Sequence, residues 1–116
     1  MTNEIASIEE DIEWIFQAIK SENWAYVVRK LPQLNHANQF LMMRSLPVEV
    51  LKALHFQLYS HAVDLRTIAH STDYAYITAV TILRGKDSYP GTTFPRSEEE
   101  LEMRVMIESA KEKVGL

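Results

Sequence analysis

LRTIAHSTDYAYITAVTILRG, residues 65–85, contains the hardest choice in this sequence. Its second half, Tyr74 to Leu83, is rich in β-branched and aromatic residues and on propensity alone reads as a buried strand. A lone strand has no partner for its backbone groups, however, and every other periodic segment of the chain has helical spacing. The helical reading also accounts for the punctuation. A helix from Ala75 to Arg84 stops at Gly85, a residue that enters the left-handed region without a Cβ penalty. Upstream, Ile68 and Ala69 close a first helix, and Ser71, Thr72 and Asp73 supply polar turn chemistry. The stretch is expected to be helix, tight turn, helix.

The segments on either side agree with it. Ile8, Ile12, Ile15 and Ile19 recur at spacings of four, three and four, with Ile5 extending the stripe, and this predicts a helix over 7–21 with one buried seam. Ser7 and Glu10 read as a capping box at its start. Trp14 and Phe16 fall off the seam and need cover from elsewhere. Asn23 can cap a shorter helix through Trp24, Val27, Val28 and Leu31, which Pro32 ends. A third helix is expected from Asn35 to Arg44, burying Phe40, Leu41 and part of Met42–Met43. Pro47 opens a fourth, on which Leu51, Leu54, Leu58 and Leu65 share a face. That helix either runs unbroken to His70 or bends near Ser60–His61.

Downstream, KDSYPGTTFPRS reads as a loop with Pro90–Gly91 as its turn. A second capping box, Ser97 and Glu100, precedes a helix through Leu101, Val105 and Met106 to Val114, which Gly115 ends. The chain is therefore expected to be a single all-α domain over residues 1–116, a compact bundle of five to six helices.

Composition narrows the function classes. The 116 residues are enough for one hydrophobic core. With no cysteine there is no disulfide framework or thiolate metal site, and a cytoplasmic location is expected. Neither a leader-like N-terminus nor eighteen consecutive apolar residues is visible, so no membrane association is expected. The net charge is −4, but it is unevenly spread. Over residues 1–22, Glu4, Glu9, Glu10, Asp11, Glu13 and Glu22 face only Lys20, and acids also prevail after residue 97. Between these ends bases outnumber acids, which suits a middle segment that meets phosphates.

The grammar of residues 63–85 resembles the helix-turn-helix of bacterial and phage repressors. In that family a small residue on the first helix admits the second across it, matched here by Ala69. Apolar residues on the inner face of the second helix hold the crossing, matched by Ala79 and Ile82. Asp73 stands where the family usually has glycine. The resemblance implies a small DNA-binding regulator, with the second helix in the major groove. Tyr76, Ile77, Thr78 (in part) and Thr81 would face outward towards base edges, and Arg66, Lys52, Arg84 and Lys86 would hold phosphates. The acidic terminal helices would pair two copies as a homodimer. No Arg, Asn or Gln precedes Arg84 on the reading helix, although such residues usually carry base discrimination.

A second expectation stands beside the first: an acidic helical interaction module, such as an adaptor, an immunity-type inhibitor or a mobile-element factor, acting on a protein partner. Its anchors would be the aromatics Trp14, Trp24, Tyr89 and Phe94. Enzymatic activity is not expected. His61 with Asp64, and His70 with Asp73, form two pairs rather than a convergent ligand set, so no metal or other cofactor is expected. The three glycines are scattered, which leaves no phosphate-cradling loop.

Overall fold

Apolar residues at helical spacing bury best when helices pack on helices, and the computed structural model has that arrangement. It describes the backbone of residues 2–65, 70–85 and 97–116, and side chains over 8–61, 74–85 and 98–116. Among these residues there are six α-helices and no strand. They are α1 (Thr2–Lys20), α2 (Trp24–Lys30), α3 (His36–Ser45), α4 (Val48–Leu65), α5 (His70–Leu83) and α6 (Ser97–Val114), with a 3-10 turn over Leu31–Gln33. The radius of gyration, 13.4 Å, is that of a compact chain of this length.

Two helix pairs enclose α3. The most extensive contact is between α4 and α5, the next between α1 and α6; α3 touches α5 and α6, and α2 bridges α1 and α4. The isoleucine seam behaves as its spacing predicts, since Ile12, Ile15 and Ile19 are buried and Ile8 packs against the same core. Phe16 finds its cover inside the chain and is fully buried. Helix α1 begins well before the predicted capping box. Residues Ser7 and Glu10 lie within it, because neither Gly nor Pro interrupts the run from Thr2.

The ends of the helices follow local chemistry. At the end of α1 the Asn23 N–H donates to the Ala18 carbonyl and the Glu22 N–H to that of Ile19, a Schellman closure that puts Glu22 at φ 59°. Asn35 caps α3, its Oδ1 accepting from the Asn38 N–H at 2.8 Å. Gln39 is fully buried because its Nε2 serves the backbone of the preceding bend, donating to the carbonyls of Leu34 (2.7 Å) and Pro32 (3.3 Å). Gly85 ends α5 at φ 77°, as its position predicts.

Lysines tie the last helix to its neighbours through carbonyls that helix termini leave unsatisfied. Lys111 Nζ donates to the Ser45 carbonyl at the end of α3 (2.7 Å), and Lys20 Nζ to the Val114 carbonyl at the end of α6 (2.8 Å). Lys113 pairs with Glu13 at 3.1 Å. The C-terminal halves of α1 and α6 therefore lie side by side. On α6 the buried residues are Ile107 and Ala110, whereas Leu101 and Val105 point to solvent.

The predicted corner is not a turn: Ser71, Thr72 and Asp73 are helical, within the first turn of α5, and residues 66–69 between α4 and α5 lie outside the described residues. With His70 already helical, those three polar residues occupy the helix N-terminus, where Ser, Thr and Asp are also well tolerated. Helix α4 is long and passes Ser60–His61 unbroken. Among the described residues no helix is long and apolar enough to cross a membrane.

Candidate interaction surface

Helix α4 has two faces of different chemistry. Leu51, Leu54 and Leu58 point into the core. Phe56 is two residues from Leu54 and two from Leu58, and at roughly 100° per residue it must project from the opposite side. It is 62% exposed, and Tyr59 is 64% exposed. Val48, Lys52, Phe56 and Tyr59 follow one another at offsets of four, four and three, so one exposed face of the helix carries three large apolar or aromatic side chains and a lysine, which pairs with Glu49 at 3.6 Å.

Helix α5 continues this surface. Ala75, Thr78 and Ala79 are fully buried, and small side chains there let α5 lie close on its neighbours. Tyr76 is half-buried and turns towards α4, its ring stacked on His55 with centroids 4.8 Å apart and 6.0 Å from that of Tyr59. The next residue, Ile77, is 50% exposed. On the far side of α5, Tyr74 stacks on His36 of α3 at 3.7 Å, fixing the helix from behind. Tyr59 and Tyr76 therefore join the two helices at the surface, with Phe56 exposed farther round α4 and Ile77 farther round α5.

The residues expected to read DNA are divided by this packing. Ile77 and Arg84 are exposed and Thr81 is half-buried, all three on one side of α5. Thr78 is buried and faces inward, with its Oγ1 donating to the Tyr74 carbonyl at 2.8 Å. Lying three residues after Ala75 and four before Ile82, it belongs to the inner face, which corrects its outward assignment. Arg66 and Lys86 lie outside the described residues, as do Tyr89 and Phe94 among the expected partner anchors. Of the remaining anchors, Trp14 is 56% exposed, while Trp24 is half-buried against the core and offers little free surface.

Sequence reasoning missed Phe56 and Tyr59. The signal was present in their offset from the leucine stripe, which marks large apolar residues on a side that the core does not use. Among the described residues no three His, Asp or Glu side chains converge as a metal site. His61 Nδ1 is engaged with the Gln57 carbonyl at 2.9 Å. Compared with known proteins, the chain matches no family model, no curated protein and no solved structure.

Proposed function

We propose that this chain is a helical protein-interaction module that engages a protein partner through the α4–α5 surface. The observation that carries the reading is the exposed aromatic pair Phe56 and Tyr59 on α4, with Tyr59 beside Tyr76 of α5. Large apolar and aromatic side chains gathered on one surface lose water contact when a partner covers them, and such residues dominate binding energy at protein interfaces. The anchoring of Tyr76 between His55 and Tyr59 supports the same reading, because a side chain already held in place loses less conformational entropy on binding.

The test is photo-crosslinking from a benzoylphenylalanine placed at position 56, followed by affinity measurement with the purified partner so captured. The double change Phe56→Ala and Tyr59→Ala is expected to weaken that complex by at least about tenfold while leaving the helical circular dichroism unchanged. A captured partner whose affinity ignores both changes would remove this surface from the function. Sedimentation of the chain alone tells a homodimer from a foreign partner.

A second reading, DNA binding by the same helix, is favoured by one observation, the succession of Ile77, Thr81 and Arg84 along one side of α5. It is less well supported, because no cation precedes Arg84 on that helix and a phosphate backbone rewards cations. Retention of genomic fragments at low salt that Arg84→Ala abolishes would move the conclusion to this reading.

A further inference from the structure

Helix α1 presents a different surface. Opposite its isoleucine seam, Glu10, Glu13, Trp14 and Gln17 follow at i, i+3, i+4 and i+7, the spacing of one helix face. Trp14 stands on this face between two hollows. One, of about 490 Å³, is bounded by Glu9, Glu10, Glu13 and Trp14 with Lys113 at its edge. The other, of about 220 Å³, lies between Trp14 and Tyr26. Trp14 lines both.

The charges around Trp14 are unequally satisfied. Lys113 is already paired with Glu13, and Lys20, the cation of α1, is turned to the Val114 carbonyl. Glu9 and Glu10 have no cationic partner among the described residues. The groove therefore combines an exposed indole, which attracts a cation to its face, with two carboxylates, Glu9 and Glu10, with which no lysine or arginine among the described residues pairs.

We infer that this α1 groove binds a basic segment of a partner protein, one that sets an arginine or lysine against Trp14 and the Glu9–Glu10 carboxylates and an apolar neighbour between Trp14 and Tyr26. Charge complementarity selects this occupant over an acidic or purely apolar one. The groove shares no residue with the α4–α5 surface, so either can fail without the other.

The experiment titrates the isotopically labelled full chain, at physiological salt, with a short peptide in which pairs of arginines separate leucines. The same peptide with glutamates in place of arginines is the control. Saturable binding of the arginine peptide alone, with a shift of the Trp14 indole N–H resonance, is expected. Trp14→Ala should lower its affinity by at least about tenfold and Glu9→Gln with Glu10→Gln by a similar factor; Tyr59→Ala should leave it unchanged. The two glutamine changes keep the surface shape and test the groove even if Trp14→Ala disturbs folding. Absence of saturable binding, equal binding of the glutamate peptide, or a loss of under about twofold in both the Trp14 and glutamine variants overturns the inference. So does an equal loss from Tyr59→Ala.

Discussion

Phe40 and Phe56 are the same side chain on neighbouring helices, and the fold treats them in opposite ways. Phe40, on α3, is 1% exposed, in a helix whose residues Ala37 to Met43 are all buried. Phe56, on α4, stands out in water with Tyr59 beside it. Helix α3 is enclosed by other elements, so its sequence is occupied with packing and with satisfying its own ends. Helix α5 packs against both α3 and α4 and leaves Ile77 exposed, whereas α4 is covered on one side only. An aromatic residue left on the other side does nothing for the core, and its cost in solubility points to a use outside the chain.

Identical truncations at the two positions would break this contrast most directly. Phe40→Ala is expected to cost about 3–5 kcal/mol of stability through lost burial and a residual cavity, read from urea denaturation; Phe56→Ala should stay within about 0.5 kcal/mol. Comparable losses at both positions would mean that Phe56 is structural after all. Next in size is Lys111→Met, expected to cost about 1–2 kcal/mol because the Ser45 carbonyl at the end of α3 loses a charged donor.

Smaller effects sharpen the account of the helix ends. Gly85→Ala should destabilise by about 1 kcal/mol. Nothing lies within 4 Å of the added Cβ, so the whole cost is the left-handed backbone at φ 77°. The reverse change at the matching position of α1, Glu22→Gly, should raise stability by about 0.5–1 kcal/mol, since Glu22 holds φ 59° with a side chain present. Thermal denaturation of the pair should show opposite shifts; shifts of the same sign would indicate that the side chains, not the backbone, control these termini.

How much was legible in the residues varied with the kind of information each element carried. The isoleucines of α1 and the Gly85 and Gly115 stops are local or periodic signals, and each appears where its physics requires. Polar triplets such as Ser71–Asp73 are ambiguous, because the groups that favour a turn also favour the first turn of a helix. Thr78 was assigned to the wrong side for a related reason. A β-branched or apolar residue near the edge of a stripe does not reveal which neighbour will cover it.

The amino-acid order alone determined that the chain is helical, where most helices stop, and which leucines and isoleucines meet inside, because spacing, capping and backbone freedom act within a few residues. Which stripes were left uncovered was decided only when the helices competed for a limited interior. Helix α3 won enclosure on all sides, and the outer faces of α4, α5 and α1 did not. That outcome depends on the positions of distant segments, and no short window of sequence contains it.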